Sequence, residues 1–205
     1  MIKTKEQLRE VLRCEKAQYY KKKSFIRLLS DAFINESCME IWKYQRVLRL
    51  AEYHFNNKRN PMHVLLYLFY ARRMNKLGIR LGIYIPINVF DIGLKIDHYG
   101  SIVVNGMCRI GKNCRLHGNN CIGNKGEGRI DEFPMIGDNF DLGTGAVVIG
   151  GITLSNNIKV GANAVVTRSC LEEGAVLVRI PAQNLRKGIQ NESRHHNIYI
   201  WPKLW

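Results

Sequence analysis

The chain has 205 residues, 46% of them hydrophobic and 23% charged, which is the balance of a soluble globular protein and excludes a disordered or low-complexity chain. Its formal charge of +14 is unevenly spread, with 18 Lys and Arg against 7 Asp and Glu in residues 1–80, but 13 against 10 in residues 81–205. The N-terminal part therefore suits a polyanion, an anionic membrane face or an acidic partner. The strongest apolar run, HVLLYLFYA at 63–71, is far shorter than the ~20 residues of a bilayer span, and no signal peptide is read at the start.

In chain order, residues 4–80 read as helices. TKEQLREVLRCEKAQYYKKK opens on Thr4 as an N-cap and carries Leu8, Val11, Leu12 and Cys14 on one stripe. SCMEIWKYQRVLRLAEYHFNN spaces Met39, Trp42, Val47, Leu50 and Tyr53 as a second helix, with Asn56-Asn57 at its end. Pro61 starts a third through about Met74, and Gly78 is expected to end it. Lys21-Lys22-Lys23 and Arg72-Arg73 are interleaved with Tyr19, Tyr20, Tyr67 and Tyr70.

From Gly82 a period of six replaces the helical one: IGKNCR, LHGNNC and IGNKGE, then IGDNFD, LGTGAV, VIGGIT, LSNNIK and VGANAV. Each block opens on an aliphatic residue, and small or apolar residues (Cys108, Cys114, Ala146, Ile152, Ile158, Ala164) stand two places before the next one. That repeat is the signature of a parallel β-helix, three sixes to a coil, with Gly and Asn at the corners. Eight in-register openings disfavour a Gly-rich sandwich of short strands. The six cysteines form no CxxC pair and sit among apolar neighbours, as reduced thiols in a cytoplasm do. The expected organisation is a helical domain over 1–80, a β-helix over 81–188 and a tail over 189–205.

Within the repeats, His98 and His117 fall one coil apart and one residue along, so their rings can share an edge. The segment NKGEGRIDEFP at 124–134 interrupts the repeat soon after His117, and this loop could fold over the same edge.

DHYGSIVVNGMCRIGKNC, CIGNKGEG, PMIGDNFDLGTGAVVIGGITL, VGANAVV and RIPAQNLRKG together resemble the hexapeptide-repeat acyltransferase superfamily. The likeness is greatest to serine O-acetyltransferases and their relatives in polysaccharide gene clusters. It implies an α+β fold with a left-handed β-helix, a homotrimer, and acetyl-CoA as co-substrate in the groove between subunits, with no metal. The family's catalytic histidine falls on His98, a general base suited to taking a hydroxyl proton near neutral pH. Its acidic acceptor-contacting position falls on Asp97. The carboxylate that orients the histidine falls on Ile83, which leaves Asp91 as the nearest acidic substitute.

The Arg-His pair that holds the serine carboxylate falls on Glu132-Phe133, and a Glu repels a carboxylate. The expectation is therefore a sugar hydroxyl in capsular or surface-polysaccharide synthesis, with serine as the alternative acceptor. His117 occupies a position often His in the polysaccharide-associated relatives. For acetyl-CoA, the resemblance implies Gly145, Ala146, Ala162 and Asn163 as a flat bed for pantetheine. Gly123 and Lys125 join this set, and Arg179, Arg186 and Lys187 would face the phosphates.

Two other readings come from other classes. A γ-carbonic-anhydrase-like zinc site would need a third histidine, and His195 and His196 lie in the tail. A non-catalytic trimer could bind a polyanion or an anionic membrane through the basic helices, nucleic acid being the less favoured partner. A compatible version brings an enzyme to the inner face of the membrane. The tail, with Trp201 and Trp205, is expected to strap against a neighbour.

Overall fold

The computed structural model describes residues 1–20, 24–34, 36–126 and 132–185. Helix α1 (Lys5–Tyr20) opens on a capping box: Gln7 N–H donates to Thr4 Oγ1 at 3.2 Å and Thr4 N–H to Gln7 Oε1 at 3.1 Å. Helix α2 (Phe25–Phe33) has no counterpart in the sequence reading, because nine residues beside a Lys run give a period too few turns to stand out. Helix α3 (Ser37–Asn56) matches its expected bounds, and α4 (Pro61–Leu81) runs longer than expected.

Gly78 does not end α4; it lies buried within it. A Cβ there would come within 2.4 Å of the Ile83 carbonyl oxygen, so glycine is needed for close packing rather than for a turn. The stop is Gly82, a left-handed C-cap at φ 70°. No helix among the described residues is long and apolar enough to cross a membrane.

Among the described residues fourteen short strands follow: β1 (Ile83–Tyr84), β2 (Lys95–Ile96), β3 (Ile102–Val104), β4 (Arg109–Ile110), β5 (Arg115–Leu116), β6 (Cys121–Gly123), β7 (Met135–Ile136), β8 (Asp141–Leu142), β9 (Val147–Ile149), β10 (Thr153–Leu154), β11 (Lys159–Val160), β12 (Val165–Val166), β13 (Val176–Val178) and β14 (Gln183–Asn184). They form the three faces of a prism. Sheet A runs β1-β3-β6-β9-β12, sheet B β4-β7-β10 and sheet C β2-β5-β8-β11-β13-β14. Every pairing is parallel except β13 with β14.

The register gives the physical meaning of the hexads. Val103 pairs with Cys121, 18 residues on, and Val147 with Val165, again 18. Between them the step from Cys121 to Val147 is 26, so the interruption adds eight residues without shifting the stack. Ile110, Leu116, Ile122, Ile136, Leu142, Val148, Leu154, Val160 and Val166 all point into one core, as do Cys108, Cys114, Ala146, Ile158 and Ala164. At the B–C corners a column of asparagines holds left-handed backbone. Asn113 Nδ2 donates to Asn139 Oδ1 at 3.1 Å, and Asn139 Nδ2 to Asn157 Oδ1 at 2.9 Å.

The helices share that core through Tyr19, Ile41, Trp42, Tyr44 and Leu48. They are also fixed by a buried ionic cluster on Arg49, which is 1% exposed. Its Nη2 donates to Glu15 of α1 at 2.7 Å and to the Asp91 carbonyl at 2.7 Å, and its Nη1 to Glu52 at 2.8 Å and to the Phe90 carbonyl at 2.9 Å. Glu15 in turn accepts the Gly93 and Leu94 amides, and Glu52 accepts that of Asn88. Residues 88–94 of the first coil are thus held by two helices.

Candidate active site

His98 stands on the edge between sheets C and A. There, eight residues rather than six separate the inward Ile96 and Val104, because Ile96 faces Leu116 while Val104 faces Ile122. The two extra residues widen the corner 97–101 and expose His98. They also correct the 18-residue arithmetic: the local step is 20, so His117 lies beside Asp97, and Gly118 lies beneath His98. A Cβ on Gly118, whose φ is 116°, would meet His98 Cβ at 3.3 Å and its carbonyl oxygen at 3.4 Å. Among the described residues no hydrogen bond or ion pair engages the His98 ring.

His117 is in the opposite condition. Its Nδ1 lies 3.3 Å from Asp97 Oδ2 and its Nε2 2.6 Å from Asp141 Oδ1. Asp97 is itself tied to Arg115 Nε at 2.6 Å and to Lys95 Nζ at 3.1 Å. Burial would raise its pKa, but the hydrogen bonds from those two cations outweigh burial and hold its carboxyl below the usual range. Asp97 therefore braces His117.

Asp141 is the residue missed from the sequence. It pairs in register with Arg115 across the 26-residue step, and only removing the insertion brings it one coil away.

Beyond Asp97 and His117, the same outward column continues with Gly143 and Gly161. A Cβ on Gly143 would sit 2.7 Å from the Ala162 nitrogen, and one on Gly161 3.0 Å from Val178. With Ala162 and Asn163 exposed alongside, the strip leading from His117 is flat backbone. Gly145 joins it, its N–H donating to the Gly118 carbonyl at 3.0 Å. Ala146 does not: it is fully buried, because the place two before an inward aliphatic also points inward.

The other expected residues lie elsewhere. Asp91 is one face of the prism upstream of His98, on the B–C corner, where its carboxylate accepts the Ile92 amide at 2.8 Å; it does not meet the histidine. Ile83 is buried in β1. The loop leaves from the A–B edge, since Gly123 accepts the Gly150 amide, Lys125 packs over Gly150, and Glu132 packs over Gly151. Its described residues therefore lie on the A–B edge and not on the histidine edge. Arg179 is exposed at φ 81° after β13. Arg186, Lys187 and the tail with Trp201 and Trp205 lie outside the described residues, as do Lys21-Lys22-Lys23.

A concavity of about 930 Å³ lies between α1 and sheet B; its lining includes Asp91, Arg109 and Lys112 but neither His98 nor His117. Among the described residues no cluster of three or more His, Cys, Asp or Glu is placed to hold a metal, so the zinc reading has no ligand set there.

No family profile matches the chain. It is 36% identical to a serine acetyltransferase of Staphylococcus xylosus over 94 residues, 46% of this chain and 43% of that one. The aligned stretch thus spans less than half the length of that relative. To a serine acetyltransferase of Helicobacter pylori it is 31% identical over 130 residues, 62% of this chain and 75% of that one. The solved structure of a Brucella abortus serine acetyltransferase in complex with coenzyme A superposes with a TM-score of 0.65 at 20% identity, covering 88% of this chain and 68% of the other. At that identity the superposition speaks for the fold, a left-handed parallel β-helix behind N-terminal helices. The Helicobacter protein is matched across three quarters of its length, and on this the chain belongs to the serine acetyltransferase family.

Proposed function

We propose that the chain is an acetyl-CoA-dependent O-acetyltransferase with His98 as its general base. The observation that carries this is the contrast between the two rings. Both nitrogens of His117 are engaged by carboxylates, whereas His98 is exposed, unengaged among the described residues, and one corner from a flat glycine strip. A His98 nitrogen would take the acceptor hydroxyl proton as that oxygen attacks the thioester carbonyl. The C–S bond then breaks, and the departing thiolate recovers the proton from the imidazolium. Acetyl-CoA would lie along Gly143, Gly161, Ala162, Asn163 and Gly145, where the missing side chains leave room for a thin pantetheine arm. The coenzyme A complex of the Brucella relative supports this choice of co-substrate.

For the acceptor, the relatives' names favour serine, and they lend no support to the sugar hydroxyl expected from the sequence. A second reading, a neutral hydroxyl acceptor, is favoured by Glu132-Phe133 at the positions where the resemblance places a carboxylate-binding pair. Release of coenzyme A with L-serine against a panel of sugars decides between them. Turnover with serine supports the first reading, turnover with sugars alone supports the second, and release with neither overturns the function itself.

The active assembly would be a homotrimer. The outward column of sheet A is apolar, with Tyr84, Val103, Cys121, Val147 and Val165, and Tyr84 is 62% and Val103 47% exposed in the single chain. Six free cysteines fit a cytoplasmic site of action.

A further inference from the structure

Helix α4 has an apolar surface that the described residues leave uncovered. Met62, Leu65, Leu68 and Phe69 are each more than half exposed, although they belong to the most hydrophobic stretch of the sequence. Successive turns of the same outward face then carry Arg72, Arg73, Lys76 and Arg80, all exposed. From Met62 to Phe69 the helix rises roughly 10 Å, and the cations occupy about the next 12 Å, so the helix is apolar at one end and basic at the other along a single face.

What covers such a face is indicated by its charge. Between Glu52 and Asp91 the sequence holds no Asp or Glu at all, while it holds Lys58, Arg59, Arg72, Arg73, Lys76 and Arg80. Arg80 is paired with Glu40 of α3, and Lys58 lies over the Phe55 ring at 4.5 Å. Arg59, Arg72, Arg73 and Lys76 have no carboxylate partner among the described residues. A second copy docking parallel to the first would bring Arg72, Arg73 and Lys76 against their own equivalents without a compensating acid, and one docking antiparallel would bury them against Leu65, Leu68 and Phe69, so both arrangements disfavour self-association. A nucleic acid would use the cations but gain nothing from Leu65, Leu68 and Phe69. An anionic lipid surface satisfies both ends: aliphatic and aromatic side chains enter the headgroup–acyl boundary, and guanidinium and ammonium groups reach lipid phosphates.

We infer that the outward face of α4 docks the protein reversibly on an anionic membrane surface, with Met62, Leu65, Leu68 and Phe69 inserted and Arg72, Arg73 and Lys76 at the phosphates. This docking is independent of the acetyl-transfer chemistry. The helix meets the 97–101 corner only at its C-terminal end, where the Leu81 carbonyl accepts the Gly100 amide at 2.9 Å, and vesicle binding without acetyl-CoA is read apart from turnover, so the two are tested separately.

The test is co-sedimentation of the full chain with vesicles of phosphatidylcholine alone and of phosphatidylcholine with phosphatidylglycerol, at low and high salt and without acetyl-CoA. Binding is expected to the anionic vesicles only, and to weaken with salt. The Arg72→Gln/Arg73→Gln/Lys76→Gln variant should lose about 100-fold in affinity, at roughly fivefold per cation. Leu65→Ser/Leu68→Ser/Phe69→Ser should abolish binding while keeping its helical signal, since those side chains are already exposed. Equal binding to both vesicle types, or no binding to either, overturns the inference. So does a serine variant that falls to a smaller assembly while vesicle affinity is absent throughout, because the face would then be a contact between copies.

Discussion

Replacing Arg49 by Met is the sharpest test of how the helices and coils are joined. The side chain is almost wholly buried, and the substitution leaves Glu15 and Glu52, 0% and 2% exposed, without the cation that both face. It also deprives the Phe90 and Asp91 carbonyls of their donors. Breaking a buried pair by removing one partner costs about 3–5 kcal/mol. Two carboxylates are stranded here, so the upper end of that range applies, a large part of the roughly 5–15 kcal/mol by which a domain is stable. Urea unfolding followed by circular dichroism at fixed protein concentration measures it. Arg49→Met/Glu15→Gln/Glu52→Gln, which strands no charge, should recover part of the loss. A single variant within about 1 kcal/mol of the parent, or a triple variant less stable than the single, would refute the claim that this cluster clamps residues 88–94.

Three further outcomes follow from the geometry. Gly118→Ala puts a methyl against His98 Cβ at a φ of 116°, so coenzyme A release should fall at least about tenfold while thermal stability drops by no more than about 1–3 kcal/mol; unchanged turnover would show that the corner tolerates the shift. Gly78→Ala meets a backbone oxygen at 2.4 Å and should lower the melting temperature without moving KM. The Asp97 pKa is depressed in the fold, so its stabilising contribution is complete above the unfolded value near 3.8 and declines as pH falls through the lower folded value. Asp97→Asn should therefore be less stable than the parent at pH 6, and the gap should narrow as the pH falls below 3.8.

The coils were legible because their signal is redundant. Each inward aliphatic from Ile110 to Val166 is specified by packing against the same position one coil away, so one eight-residue insertion could not hide the register. His98 and His117 were placed on a common edge for the same reason. The two residues added at the 97–101 corner, however, set Asp97 rather than His98 opposite His117, and a strict period cannot show that. Asp91 is the nearest acidic residue to His98 in sequence apart from Asp97, yet six residues span a whole face of the prism. Arg49, Glu15 and Glu52 were unreadable because charges on amphipathic helices look alike whether they meet solvent or one another. Gly78 looked like a stop because the strand that crowds it follows only after the helix ends.

The most direct measurement is kcat for coenzyme A release by His98→Ala and His117→Ala, each checked for assembly and helical content. With His98 as the base, its removal should lower kcat about 10²–10⁴-fold, and the loss should exceed that of the His117 variant, which forfeits bracing alone. A His98→Ala enzyme that keeps kcat within about threefold of the parent, while His117→Ala is inactive, would contradict the assignment.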